Sequence, residues 1–249
     1  MILAKLDDVS FGYDDHQILD KCSLEIVQGA ITCLIGLSGA GKSTVLRLIN
    51  GLRKPTGGHV FVKGVDICCM PHRDLVEFRR SVGFSFQFGA LFDSLSAFEN
   101  VAMPLREHTK LSEDEITRIV DAGLDAVGML HVKEKFPAEL SGGMVKRVGF
   151  ARAVISNPEL VLYDEPTTGL DPIMTHLLTN TIIRLRKKLN GTVVVVSHDL
   201  PSIYTMADFV ALLYEGKIVA YGALNDIRNS ADPLVRQFLQ GRESGPIVL

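Results

Sequence analysis

Residues 36–44 read GLSGAGKST and follow directly on the apolar run Ile31-Thr32-Cys33-Leu34-Ile35. They fit G-x-x-x-x-G-K-[ST], with Gly36, Gly41, Lys42 and Ser43 at the fixed places and Leu37, Ser38, Gly39 and Ala40 between the glycines. A chain of this length meets that pattern by chance roughly once in a hundred. The flanks make chance rarer still, because Val45, Leu46, Leu48 and Ile49 give the next segment an apolar helical face. A strand, a glycine-rich loop and a helix in this order form a phosphate cradle. Glycines let backbone N–H groups close on phosphate oxygens that a Cβ would keep away. The helix entered near Lys42 turns its positive end toward the phosphates. Lys42 then reaches the β- and γ-phosphates, the Ser43 hydroxyl is a ligand for Mg²⁺, and Thr44 closes the loop. The expected ligands are therefore the phosphates of a nucleotide and Mg²⁺.

The same architecture shows farther along the chain. Leu160–Tyr163 and Val193–Val196 are apolar on both faces, as parallel strands covered by helices are. The first of these runs into Asp164 and Glu165. Carboxylates at the end of such a strand sit where α/β sheets bind ligands. Asp164 is placed to hold Mg²⁺, and Glu165 to polarise an attacking water. Residues 173–189 carry Leu178, Ile182, Leu185 and Leu189 at helical spacing, and Gly191 is the expected stop. Strand-like pieces near 2–10, 18–26 and 59–63, interrupted by glycines, suggest an antiparallel sheet. Residues from about 96 to 157 read as mostly helical, with Ser112 and Glu115 as a capping box.

Composition excludes several classes. The apolar fraction is 47% and the charged fraction 22%, so the chain is neither disordered nor collagenous. A formal net charge of −3 offers no general field for nucleic acid, and no nucleic-acid partner is expected. No apolar run approaches the roughly 18 residues of a membrane span, and the opening MILAKLDDVS does not read as a secretory leader. Cys22, Cys33, Cys68 and Cys69 form no CxxC pair, so they read as reduced cysteines serving as small apolar filler. The cations Arg184, Arg186, Lys187 and Lys188 close a helix and read as its solvated end.

Between the two phosphate-site motifs stands Leu140-Ser141-Gly142-Gly143-Met144, ahead of a helix with apolar Val145, Val148, Ala151 and Ile155. This LSGGM, in that order, resembles the signature of the ABC ATPase family. Further positions fit the resemblance. Gln87, after a strand at Val82–Phe86, matches the Q-loop glutamine. Asp171 in Thr168-Gly169-Leu170-Asp171 matches the D-loop aspartate. His198 matches the switch histidine, and Tyr13 the aromatic that stacks on adenine. The resemblance implies an α/β P-loop ABC ATPase core, with an N-terminal antiparallel β subdomain and an inserted α-helical subdomain. All of this would form one ABC ATPase domain over residues 1–249: core about 1–87 and 158–230, helical part about 88–157, tail about 231–249. It also implies a head-to-tail dimer sandwiching two ATP molecules, each bound by one chain's phosphate loop and the other chain's Ser141, Gly142 and Gly143. Glu165, His198 and Gln87 would act in hydrolysis, with Gln87 also at the metal. The residues agree in one respect: Ser141 with two glycine amides at a helix start is a second anion site, one too many for a single nucleotide.

Three departures narrow the resemblance: Met144 ending the signature, the segment FGALFDSLSAFENVAMPLREH at 88–108, and the tail DPLVRQFLQG followed by Gly245-Pro246. Together they are similar to the ATPases of Mla and Mce-type lipid transporters. That implies an integral membrane permease of MlaE type, an MCE-domain lipid-binding protein and a small STAS-domain partner. The ATPase would sit peripherally on the cytoplasmic face of the inner membrane. The alternative is a soluble ABC ATPase of a cytosolic scaffold, such as iron–sulfur cluster assembly. A non-catalytic module of the same fold is disfavoured by Lys42, Asp164, Glu165 and His198. In 88–108, Phe88, Leu91, Phe92, Leu95, Phe98 and Val101 are either a docking surface for a permease helix or the core of the helical part.

Overall fold

The computed structural model describes residues 1–14 and 16–247. In chain order its elements are β1 (Ile2–Tyr13), β2 (His16–Val27), β3 (Ile31–Gly36), α1 (Lys42–Ile49), β4 (Gly57–Val62), β5 (Val65–Asp66), α2 (His72–Arg80) and β6 (Val82–Ser85). Then come α3 (Ala97–His108), α4 (Glu113–Ala126), α5 (Gly142–Val154), β7 (Leu160–Asp164), α6 (Pro172–Leu189) and β8 (Thr192–Val196). The chain continues through α7 (Leu200–Met206), β9 (Phe209–Tyr214), β10 (Lys217–Ala223), α8 (Leu224–Arg228) and α9 (Pro233–Gln240).

Among the described residues the strands form two sheets. One is four-stranded, in the order β2-β1-β4-β5, with antiparallel pairings throughout. The other is six-stranded, in the order β10-β9-β3-β8-β7-β6. Its five strands from β9 to β6 run parallel and β10 is antiparallel at the edge. Every residue of β3, β7 and β8 is buried. Their side chains alternate between two cores, as the two-residue period of a strand dictates. Cys33, Ile35, Val161, Tyr163, Val193 and Val195 point to the core that holds the helices of residues 97–154. Leu34, Leu160, Leu162, Val194 and Val196 point to a second core, shared with α1 and the antiparallel sheet. Helix α1 therefore lies between the two sheets, and Val45, Leu46, Leu48 and Ile49 are all fully buried.

Helix ends follow their local chemistry. Ser112 and Glu115 make the expected capping box on α4, and Ser96 with Glu99 makes another on α3. Helix α6 stops one residue before the expected glycine. Asn190 takes the left-handed conformation (φ 48°) and Gly191 N–H donates to the Arg186 carbonyl at 3.1 Å. Asparagine tolerates that conformation nearly as well as glycine, which is why the stop falls there. The cationic end of α6 is only partly solvated. Arg186 binds Asp208 at 2.9 Å, and the same carboxylate oxygen accepts the Ile31 N–H at 2.8 Å. Cys22 and Cys33 are buried filler, and burial pushes the Cys22 thiol up to about 11. Cys69 is instead exposed, its Sγ 3.4 Å from Asp66 Oδ2, because the short 67–69 turn points it outward.

The segment after β6 is held to α5 by backbone contact. Arg152 donates to the Gly89 carbonyl at 2.8 Å, and a Cβ at Gly149 would lie 2.8 Å from that carbonyl oxygen and 2.9 Å from Gly89 Cα. Gly149→Ala should force the two backbones apart and cost about 1–3 kcal/mol, as overpacking does. A urea unfolding curve reads this as a lower midpoint at unchanged slope; an unchanged midpoint would show that the contact yields freely.

Candidate active site

Four neighbouring parallel strands deliver the site from their C-terminal ends. β3 leads into the loop of residues 36–44, β8 into His198, β7 into Asp164 and Glu165, and β6 into Gln87. Strand ends are where a sheet buried on both faces can carry polar groups without burying them unpaired. A cavity of about 590 Å³ opens there. Gly36, Leu37, Ser38, Gly39, Gly41, Lys42, Ser43, Thr44, Gln87, Glu165 and His198 line it.

The loop is held open by its backbone. Gly36, Gly39 and Gly41 have φ of 150°, 80° and 99°. Glycine is needed at 36 and 41 for a second reason besides access to phosphate. A Cβ at Gly36 would stand 2.2 Å from the Leu213 carbonyl oxygen of β9, and one at Gly41 2.8 Å from Ile18 Cγ2. Gly41 is also the N-cap of α1 and supplies no side-chain cap, so the first amides of that helix remain available to an anion. Lys42 is 7% exposed, and its ammonium donates to the carbonyls of Gly36 and Leu37 at 2.8 and 2.7 Å. Burial lowers its pKa, while Glu165 and Asp164 oppose the shift. Ala40 N–H closes the loop on the Leu37 carbonyl at 3.2 Å.

The carboxylates differ in environment. Asp164 is 3% exposed and accepts the Ser43 hydroxyl at 2.8 Å. Burial holds its carboxyl above the usual carboxylate range, against the lowering effect of Ser43, Arg47 and Lys42. Glu165 lies just past the end of β7 in the left-handed region (φ 48°), its N–H donating to the Val196 carbonyl at 3.0 Å. A glutamate held there stores backbone strain of order 1–3 kcal/mol. Its carboxylate stands where three groups meet. Gln87 Nε2 donates to Oε2 at 3.3 Å, Thr168 Oγ1 donates to Oε2 at 2.9 Å, and His198 Nδ1 stands 3.4 Å from Oε1. Ser43 and Asp164 place two hard oxygen atoms together beside the phosphate loop, a donor set that suits Mg²⁺ held by few protein groups plus phosphate oxygens, while Gln87 lines the same cavity with its amide nitrogen turned to Glu165. The described residues contain no cluster of three His, Cys, Asp or Glu side chains able to hold a metal alone.

Other residues singled out in the sequence lie away from this cavity. Ser141 caps α5, accepting the Met144 N–H at 3.4 Å, and that helix begins inside the motif at Gly142. Gly143 packs against Leu170, so the signature and D-loop segments adjoin. Asp171 caps α6, accepting from Ile173 and Met174 at 2.9 and 3.0 Å. Tyr13, 43% exposed, meets Phe11 edge-on at 5.0 Å and carries Arg53 over its ring at 5.5 Å. None of these residues lines the phosphate-loop cavity.

Several neighbours of the site escaped the sequence reading. Lys146 of α5 donates to the Thr168 carbonyl beside Glu165, and Ile18 forms part of the cavity wall. Phe238 lines the cavity from α9. That helix is capped by Asp232, and its buried Gln237 grips both the N–H (2.7 Å) and the carbonyl (3.1 Å) of Ile247. Residues 231–249 read from sequence only as a tail; Asp232 as an N-cap followed by Pro233 is the local signal that could have marked α9, but nothing local tells where it docks.

The Asp164 geometry carries a prediction. Its folded-state pKa lies above the unfolded value, so ionisation costs stability as pH rises through that range, and the cost persists at neutral pH. Asp164→Asn should therefore raise the Tm of the nucleotide-free protein by a few degrees at neutral pH. The gain should shrink toward about pH 4, where the unfolded carboxyl also takes up its proton. Calorimetry across this range checks it; a lower Tm at neutral pH would contradict the burial argument.

Comparison with known proteins places this geometry. The sequence profile of the ABC transporter family matches residues 19–168. The intermembrane phospholipid transport system ATP-binding protein MlaF of Haemophilus influenzae is 41% identical over 98% of this chain and 93% of its own length. The MlaF of Escherichia coli K12 is 42% identical over 98% of this chain and 91% of its own. A probable ribonucleotide transport ATP-binding protein, mkl of Mycobacterium tuberculosis, is 40% identical over 99% of this chain and 68% of its own. Among solved structures, the dimeric ATP-binding cassette MJ0796, in a post-hydrolysis state bound to ADP and Pi, superposes with a TM-score of 0.84. It is 30% identical, and the match covers 89% of this chain and 99% of that one. The fold, the strand-end chemistry and the run of matched sequence agree: this chain belongs to the ABC transporter family, as an ATP-binding and ATP-hydrolysing subunit.

Proposed function

We propose that this chain powers a transporter that moves phospholipid between membranes, working as a dimer on the cytoplasmic face of the inner membrane beneath an integral permease. The observation that carries this reading is the 41–42% identity, along nearly the whole chain, to relatives named for intermembrane phospholipid transport. Identity alone does not separate phospholipid from the ribonucleotide named for the mycobacterial relative. The segment at 88–108, Met144 and the DPLVRQFLQG tail, on which the likeness to lipid-transport ATPases rests, favour the lipid. An MCE-domain lipid-binding protein and a STAS-domain protein complete the proposed assembly. Among the described residues no helix is long and apolar enough to cross a membrane, so attachment runs through a docking surface.

That surface is proposed at the groove beside β6. Leu52, Phe84, Phe86, Phe92, Met103 and Pro104 line it, with Phe86 37% and Phe92 49% exposed and Phe88 78% exposed beside them in sequence. The segment at 88–108 thus divides. Leu91, Phe98 and Val101 pack into the helical core, while Phe88 and Phe92 face outward. Exposed aromatics rimmed by Arg79, Arg80 and His108 suit an amphipathic helix of the permease. They flank Gln87 in sequence, so movement at Glu165 would reach the groove through a few residues. Phe92→Asp should free the ATPase from the permease without unfolding it, read as loss of co-purification at unchanged Tm. Loss of folding would return Phe92 to the core.

In the proposed reaction the loop of 36–44 holds the ATP phosphates, and the partner's Ser141, Gly142 and Gly143 close on the same nucleotide. Lys42 exchanges its loop carbonyls for phosphate oxygens. Ser43, Asp164 and Gln87 would hold Mg²⁺, which neutralises charge on the β- and γ-phosphates when bound. Glu165 accepts a proton from the attacking water, and His198 orients that water against the γ-phosphate. Asp171 keeps the partner-facing start of α6 in register, and Tyr13 is assigned to adenine. ATP favours the closed dimer because it binds that state better, and hydrolysis reopens it.

Glu165→Gln should keep ATP affinity and lower turnover about a hundredfold or more. Wild-type turnover would remove Glu165 from the role of base. Tagged protein purified from solubilised membranes of its host should bring down a polytopic permease and an MCE-domain protein, and the reconstituted complex should move labelled phospholipid. Movement of ribonucleotide instead would transfer the cargo to the second reading, and recovery with soluble assembly proteins alone would overturn the transporter claim.

A further inference from the structure

His198 has a side chain 59% exposed and, among the described residues, one close polar neighbour, Glu165, at 3.4 Å. Packing of the imidazole does not fix its place, so its backbone must. Both flanking residues are tied. Ser197 is 2% exposed, its N–H donates to the Leu34 carbonyl at 3.4 Å, and its hydroxyl accepts the Asp199 N–H at 3.1 Å. The Asp199 carboxylate accepts the hydroxyl of Ser202, one turn into α7. Ser202 Oγ in turn accepts the Thr179 hydroxyl of α6 at 3.3 Å. Ser202 is 4% exposed and Thr179 1%. The donors all point one way, from Thr179 through Ser202 to the Asp199 carboxylate, so the three side chains form one continuous hydrogen-bonded chain between α6 and the residue after His198.

Thr179 sits on α6, the helix that Asp171 caps at its start, and Thr168, just before it, holds Glu165. Both groups at the reacting water are thereby fastened to the α6 side of a polar cleft lined by Thr168, Leu170, Thr179, His198, Asp199 and Ser202. The geometry points to Thr179 and Ser202 as positioning residues for ATP hydrolysis: through Asp199 they set where His198 stands relative to Glu165, and they make that distance follow any movement of α6. This rests on the reading of His198 as the residue that orients the attacking water.

The test compares steady-state ATPase kinetics of the full chain with Thr179→Val, Thr179→Ser and Ser202→Ala. Thr179→Val removes one hydroxyl at nearly constant volume. It should lower kcat about tenfold, less than the roughly hundredfold that a 1 Å misplacement costs, with the KM for ATP changed by less than about twofold. Ser202→Ala should give the same loss, the double variant no more than either alone, and Thr179→Ser should restore parent kcat. A parent-like kcat in Thr179→Val and Ser202→Ala overturns the proposal. So does a loss that Thr179→Ser fails to rescue, which would mark a packing role. If Thr179→Val does not fold, Ser202→Ala reads the same bond from its other end. His198→Ala is assayed alongside. If that variant turns over at the parent rate, the reading of His198 itself falls. If it is inactive while the hydroxyl variants are unimpaired, only the positioning role falls.

Discussion

A parallel sheet covered on both faces has no room for charge except at the ends of its strands, and this constraint organises the molecule. The runs from β9 to β6 alternate their side chains into two apolar cores, and α1 is enclosed between the sheets. A polar residue in mid-strand would lose its water with nothing in return. Lys42, Asp164, Glu165, Gln87 and His198 are therefore gathered along one edge, although they come from widely separated parts of the chain.

The site departs from low-energy geometry where the chemistry sits. Asp164 has its carboxyl pushed upward by burial, Lys42 donates to the loop carbonyls of Gly36 and Leu37, and Glu165 is held left-handed. Each is tolerable because the surrounding structure is over-determined: β7 is buried throughout and Val196 receives the Glu165 N–H. In the proposed cycle, nucleotide would exchange the Lys42 carbonyl contacts for phosphate oxygens and Mg²⁺ would lie against Asp164, which suits a dimer that closes on ATP.

The sheet strands were legible because their residues are apolar on both faces, and the phosphate loop because its glycines and lysine have fixed spacing. The capping box at Ser112 was legible because both partners lie within four residues. What stayed hidden was non-local. Asn190 displaced the expected glycine stop by one residue, because two residues able to take a left-handed turn stand side by side. Thr179 and Ser202 look like ordinary surface hydroxyls until α6 and α7 are packed together. Phe238 joins the nucleotide cavity only through the docking of α9, and the division of 88–108 into core and surface depends on which way α3 leans.

The strand order has a consequence in time. β3 leaves the ribosome early, yet its neighbours β8 and β9 are made last among the parallel strands. Until then an apolar strand has no partner on either edge, and the phosphate loop rests on nothing. The half-made chain is thus most exposed to aggregation when its central element already exists. Since Phe238 also lines the cavity, whose wall begins with Ile18, the site gathers its residues from both sides of the parallel sheet's chain order and takes its full shape only after α9 has been made and docked.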